Sequence, residues 1–509
     1  MSRELEIGRA AVGIDELLEL ARGERRAVLW SDPAYRARLA AGCAALERRV
    51  GRELPVYGVT TGVGSAVVDA VPPEHRDEVA RNLIGSLGVG TGRILDELEA
   101  AAVVAARAIS LAAGHSGVRA ELIERLCELL NARLLPRIPA RGSVGASGDL
   151  APLSYLAALL AGEREATLRG RELGAAEAHD ALGLTPLALG AKDALAIVNG
   201  TSVMTALGCL ALERASLLAR LACAITAIAS DATHGNPGHF DARIAAWKPH
   251  AGQIRAAAWI AADLDYDAAR PGPEPARLQD RYSIRCAPQV IGVLLDAATL
   301  ARGVLEVELN GANDNPLVDP DSGDVLHGGN FYGGHVCFAL DALKSAIAGT
   351  ADLLDRQLSL LCQPQASDGL PANLIAVEGE RRFAHSGFKA MQIAASALTA
   401  EAQKLSMPAA AFSRSTESHN QDKVSLATIA ARDTLRIVEL AETVAAIQLL
   451  AACQALELRG RERARGRRRA LLEAVRKEVP LLRDDRRQDR DIERVLVLLR
   501  SGGLPLGDG

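Results

Sequence analysis

Residues 422–458 read DKVSLATIAARDTLRIVELAETVAAIQLLAACQALEL, a stretch with neither glycine nor proline. Within it Val424, Ala427, Ala431, Leu435, Val438, Ala441, Ala445, Leu449, Ala452 and Leu456 recur every three or four residues, the spacing of one helical face. At 1.5 Å per residue such a helix is a rod roughly 50 Å long. Working outward, similar long runs occupy residues 201–232, 286–310, 331–361 and 388–405. Helices of this length pack as a bundle with crossing angles of about 20°. The pattern therefore predicts a mainly α protein built on a long-helix bundle.

Composition agrees. Of 509 residues, 49% are hydrophobic but only 3% aromatic, which suits helices packed closely on alanine and leucine better than sheets. Net charge is -5, so no positive field draws the chain onto nucleic acid or an anionic membrane. The basic run RGRERARGRRR at 459–469 reads as a solvated helix face. Cys43, Cys127, Cys209, Cys223, Cys286, Cys337, Cys362 and Cys453 stand singly, without CxxC or zinc spacing, so no metal site is expected and the thiols read as reduced. Arg3, Glu4, Glu6 and Arg9 do not make a signal peptide, and Glu213, Arg214 and Arg220 interrupt the apolar run at 206–228. A cytoplasmic protein with small-molecule partners, and neither nucleic acid nor membrane, is expected.

Ahead of the long helices the chain is more varied. Residues 1–50 read as helical segments, with Asp32 capping and Pro33 opening a helix that runs to Val50. The stretch PVYGVTTGVGS at 55–65 has no helical period and reads as an irregular, functional loop. Helices are expected at 78–87, 95–113 and 118–134, then a break, LPRIPARGSVGASG, at 135–148, with a helix restarting at Asp149. Small accessory hairpins are expected at 165–173 and 316–326. Three regions follow: a loop-rich N-terminal catalytic region at 1–200, the long-helix bundle at 201–460 and a C-terminal helical segment at 461–509.

The segment GSVGASGDLAPLS at 142–154 carries the chemistry. Alone, Ala-Ser-Gly is a common tripeptide before a helix cap. In a tight bend, however, the unhindered amide of Gly148 can attack the carbonyl of Ala146 and close a five-membered ring. Loss of water from that ring and from the Ser147 hydroxyl leaves a conjugated exocyclic methylene. That group is a strong electrophile, which no ordinary side chain is. A helix N-terminus beside it would stabilise negative charge on the ring.

This segment resembles the signature of the histidine and phenylalanine ammonia-lyase family. YGVTTGVGS (57–65), NGTSVMTAL (199–207), QDRYSIRCAPQVIG (279–292), NDNPL (313–317), HGGNF (327–331) and HNQDKVS (419–425) match family segments in order and span most of the chain. The resemblance implies a fumarase/aspartase-like helical core. It implies a 4-methylidene-imidazol-5-one cofactor made from Ala146, Ser147 and Gly148, with no metal or nucleotide. It also implies a homotetramer with active sites shared between subunits.

Roles follow from the same resemblance. Tyr57 matches the base for the substrate's β-proton, a task that suits a phenol of lowered pKa on a lid-like loop. Arg285 matches the arginine that grips the substrate carboxylate, where a planar fork serves better than a lysine. Asn199, Gln279, Tyr282 and Asn315 match polar residues that hydrogen-bond ring or substrate. Phe331 matches an aromatic packed near the ring, and Gly64 belongs to the Tyr57 loop at the site.

Two positions bear on the substrate. Leu87, in RNLIGSLGVGTG (81–92), falls where histidine- and tyrosine-specific members carry His, and a leucine cannot bond an imidazole or phenol. Gln421 falls where histidine lyases carry a glutamate, while Glu417 and Asn420 resemble the phenylalanine version. Ser86 and Val63 replace larger residues and widen the pocket. The residues thus point to phenylalanine or a substituted phenylalanine, giving a cinnamate. Histidine or tyrosine ammonia-lyase and aromatic 2,3-aminomutase are the alternatives, and a scaffold without chemistry is the rival from another class.

Overall fold

The structure, a computed structural model, describes residues 3–269 and 277–507 and is mainly helical. It divides into two compact units. The first comprises Met1–Ala211, Ala301–Asp341 and Pro408–Arg432, the second Leu212–Leu300, Ala342–Met407 and Asp433–Gly509. The long helices form where the periodicity places them: Ser202–Ala232, Ala287–Asn310, Gly334–Leu361, Lys389–Leu405 and Ala427–Leu458.

In the first unit Asp32 caps the helix Pro33–Gly51, accepting from the Tyr35 N–H at 2.9 Å, with Pro33 at the first helical position. The start of the chain corrects the all-helical expectation. Arg3–Ile7 and Arg25–Leu29 form a parallel strand pair, with helix Ile14–Arg22 between them. Leu5, Ile7, Ala27 and Leu29 are buried, but alternation over five residues amid arginines and glutamates is too short to announce a strand. Both expected hairpins form, Glu165–Leu168 with Arg171–Gly174 and Leu317–Val318 with Val325–Leu326. The first hairpin also pairs with Leu134–Pro136, and Thr91–Ile94 pairs with Pro139–Arg141.

The helix expected from Asp149 begins at Ala151 and runs to Leu160. Helix Ala427–Leu458 likewise starts at Ala427 rather than at Val424, the first position of its apolar spacing. Leu426 has φ +59°, and its N–H bonds the Val144 carbonyl at 3.0 Å. Residues 420–424 are thereby left as a loop.

In the second unit the helices are cross-linked by polar groups. Arg214 grips Glu442 at 2.8 and 2.7 Å, Gln357 donates to Thr226 at 2.9 Å, and Ser396 donates to Asp355 at 2.9 Å. Arg220 pairs with Asp263 at 2.8 Å, both buried. The basic run is not simply a solvated face. Arg467 pairs with Asp263, Arg468 is buried against Asp231 and Asp265, and Arg459 donates to the Ala232 and Asp368 carbonyls. Among the described residues one helix, Ser202–Ala232, is long and apolar enough to cross a membrane, and most of its apolar window is buried inside the fold.

Candidate active site

The turn at 142–150 is built from residues forced into the left-handed region: Gly142, Gly145, Ser147, Gly148 and Leu150 have φ of +133°, +78°, +50°, +82° and +48°. Such angles cost non-glycine residues energy and persist only where the surroundings impose them. The surroundings are backbone. A Cβ on Gly148 would overlap the Gly200 carbonyl oxygen and lie 2.6 Å from its carbon and 2.9 Å from the Gly200 nitrogen. One on Gly145 would overlap Ser425 Oγ and lie 2.9 Å from the Leu426 nitrogen. Asp149 N–H donates to the Gly200 carbonyl at 2.7 Å.

Asp149 does not cap the helix that follows it. Its carboxylate, wholly buried, accepts from the N–H groups of Val203 (2.7 Å) and Met204 (3.4 Å), in the first turn of Ser202–Ala232, and from Thr428 Oγ1 at 2.8 Å. Burial pushes this carboxyl up to about 7, against the pull of those hydrogen bonds and of Arg107. The cap therefore ties the tripeptide to a helix fifty residues away, which no local pattern could announce.

The turn opens on a cavity of about 300 Å³. Tyr57, Gly64, Ala146, Ser147, Asn199, Asn315, Phe331, Asn420 and Gln421 line it together, all as expected site residues. Val67, Gly145, Tyr332, Asp422, Lys423 and Val424 also line it and were not anticipated, although most sit inside the quoted motifs. Gln421 Nε2 donates to Ser147 Oγ at 3.3 Å and is itself held by Thr416 Oγ1, 3.0 Å from Oε1. Asn199 Nδ2 donates to the Asn315 carbonyl at 3.0 Å. Among the described residues its buried Oδ1 has no partner.

Tyr57 Oη accepts from the Gly64 N–H at 2.8 Å. Its pKa is not lowered, as expected for a base, but raised: burial dominates, the Gly64 hydrogen bond pulls the other way, and the Glu417 charge adds to the rise. Glu417 stands behind the cavity wall. Its carboxylate accepts from the Ser65 N–H and Oγ at 3.0 and 2.8 Å, which holds it below the ordinary carboxylate range. Glu417, Ser418 and His419 are all left-handed, at φ +48°, +53° and +63°.

The remaining expected residues do not line this cavity. Gly148 faces away, against Gly200. Leu87 ends the helix Arg76–Ser86, and its carbonyl accepts from Ser154 Oγ at 3.2 Å. Gln279, Tyr282 and Arg285 belong to the second unit, where the Arg285 guanidinium stacks 4.5 Å over the Tyr282 ring and its Nε donates to the Asp280 carbonyl at 3.0 Å.

A phenol on a glycine-rich loop and a backbone turn held in the left-handed region share one small polar cavity of a helical protein. That arrangement suits a small molecule as the occupant of the cavity. A family model described as aromatic amino acid lyase matches residues 12–477. The histidine ammonia-lyase of Koribacter versatilis is 39% identical over 504 residues, which cover 96% of each chain. The tyrosine aminomutase from Streptomyces globisporus has a TM-score of 0.91 at 34% identity, covering 99% of this chain and 98% of that one. The Pantoea agglomerans phenylalanine aminomutase has a TM-score of 0.90 at 30% identity, covering 98% and 99%.

The chain belongs to the aromatic amino acid lyase family and is a carbon–nitrogen lyase. Members of this family use a 4-methylidene-imidazol-5-one ring. The curated relatives compared are histidine ammonia-lyases by name.

Proposed function

We propose that the chain is an ammonia-lyase acting on an aromatic L-amino acid, with the ring formed from Ala146, Ser147 and Gly148. The observation that carries this is the meeting of Tyr57 and Ser147 in one cavity, at a turn whose φ angles suit cyclisation. The residues present fit the ring: only glycine is tolerated at 148, and the unpartnered Asn199 Oδ1 is buried at the same cavity. When formed, the ring supplies an electrophilic methylene that turns the substrate's amino group into a leaving group.

The chain's own residues do the rest. Tyr57 removes the β-proton as phenolate, a state the Gly64 N–H stabilises and burial opposes. Asn199, Asn315 and Gln421 orient polar atoms around Ser147, and Phe331 packs against an aromatic side chain. Gln279, Tyr282 and Arg285, with Arg285 taking the substrate carboxylate, complete the site from neighbouring copies in a homotetramer. Asn420 and Glu417 keep the facing loop in place, and the enzyme is cytoplasmic.

Histidine is the first reading of the substrate, because the curated relatives carry that activity in name over nearly their whole length. A second reading, phenylalanine or a substituted phenylalanine going to a cinnamate, rests on Gln421. Its amide reaches Ser147 Oγ where histidine lyases carry a carboxylate. Steady-state rates on histidine, phenylalanine, tyrosine and methoxylated phenylalanines decide between them: the largest kcat/KM on histidine retires the second reading, and no histidine turnover retires the first. Product analysis tests the lyase itself, since an aminomutase returns a β-amino acid instead of free ammonia and an arylacrylate.

A further inference from the structure

Among the described residues the largest side chain wholly excluded from solvent is Arg107, on the helix Glu97–Ala112. Burying a guanidinium costs much solvation and is tolerated only where its donors are used. Among the described residues its terminal nitrogens meet backbone carbonyls: both reach the Asn313 oxygen at 3.2 Å, and one also bonds the Ala196 carbonyl, while the buried Nε has no partner. Burial pulls its pKa down to about 10 against the charges of Asp314 and Asp149, and Asp314 is already paired with Lys192 at 2.5 Å.

Arg107 also backs Gly200. A Cβ there would overlap Arg107 Nη1 and lie 2.8 Å from Cζ and 3.0 Å from the Asn313 carbonyl oxygen. The Gly200 peptide is also the surface on which Gly148 rests, with the Asp149 N–H bonded to its oxygen at 2.7 Å. Guanidinium, Gly200 peptide and Gly148 thus form a stack with no side chain between the layers. Through Ala196 and Asn313 the same guanidinium ties together the two segments that carry Asn199 and Asn315 to the cavity.

We infer that Arg107 is a positioning residue for ring closure: it fixes the Gly200 peptide that presses the Ser147–Gly148 turn into its closing shape. The inference rests on the ring reading above. Closure forms the bond from Gly148 N to Ala146 C. The Ala146 oxygen leaves as water with the amide hydrogens of Ser147 and Gly148, and the Ser147 hydroxyl leaves as water with its α-hydrogen. No oxidant or reductant is needed. Arg107 touches none of the bonds that change and acts only through Gly200.

The test reads mass, independently of turnover. Wild type, Arg107→Met, Arg107→Lys and Leu358→Ala, a core truncation in the second unit, are made by cell-free synthesis, quenched at intervals and digested. The peptide holding residues 146–148 is then followed for the loss of about 36 Da. Circular dichroism and urea denaturation accompany each variant. Wild type and Leu358→Ala are expected to close fully, Arg107→Met to fold but close about tenfold more slowly or not at all, and Arg107→Lys to fall between. If Arg107→Met does not accumulate folded, Arg107→Lys carries the same criterion. A folded Arg107 variant closing at the wild-type rate overturns the inference, as does equal failure of Leu358→Ala at matched stability. A wild type with no mass loss overturns the ring reading itself.

Discussion

The packing of Gly148 on Gly200 makes Gly148→Ala the sharpest test of the turn. The added methyl meets two costs. At φ +82° an L-residue is in the left-handed region, a penalty of roughly 1–2 kcal/mol. The methyl also overlaps a backbone carbonyl oxygen, which no rotamer change can move aside; overpacking of this kind costs about 1–3 kcal/mol. Together they come to roughly 2–5 kcal/mol. At about 1.4 kcal/mol per factor of ten, the closing turn should be depopulated about thirtyfold to several thousandfold. Mass spectrometry of the intact protein should find most of the variant without the loss of two waters, and urea denaturation should place its midpoint below wild type. Gly303→Ala, in the helix Ala287–Asn310, is the matched control: its methyl meets nothing within 4 Å, so helix propensity should leave it as stable or up to about 1 kcal/mol more stable. A Gly148→Ala protein with complete ring formation and a wild-type midpoint would refute the packing argument.

Other outcomes follow from the same site. Ser147→Ala has no hydroxyl to eliminate, so turnover should vanish and the full mass loss with it; residual wild-type activity would sink the ring assignment. Tyr57→Phe should keep the mass loss yet lose most activity, because only the base is removed. Burial raises the Tyr57 phenol and the Glu417 charge raises it further, so kcat/KM should climb with pH. In Glu417→Gln the like charge is gone and the acid limb should move to lower pH, modestly because Glu417 is exposed to screening solvent; a move to higher pH contradicts the electrostatics. Asp314→Asn leaves Lys192 buried without its counter-charge and should cost about 3–5 kcal/mol in urea denaturation.

Much of this protein is legible in one dimension. Long runs with a three-to-four apolar spacing fix the helices, because an apolar face repeats whatever that face packs against. The family pattern also names, by identity and order, the residues that meet in the cavity, such as Tyr57, Ser147 and Gln421, but equally names Leu87, Gln279, Tyr282 and Arg285, which do not line it. The short parallel strands at Arg3–Ile7 and Arg25–Leu29 are not, because five residues hold too little periodicity to overrule charged neighbours.

What tertiary structure alone decided is how distant segments act on one another at the site. Asp149 looks like a local helix cap but spends its carboxylate on Val203, Met204 and Thr428. Arg107 is one arginine among many in sequence, yet it stands wholly buried behind Gly200. The expected lowering of the Tyr57 pKa turned into a rise because burial and Glu417 act together there. Sequence determines which residues and helices exist. Desolvation and charge depend on distances between segments far apart in the chain, and those distances exist only once the chain has folded.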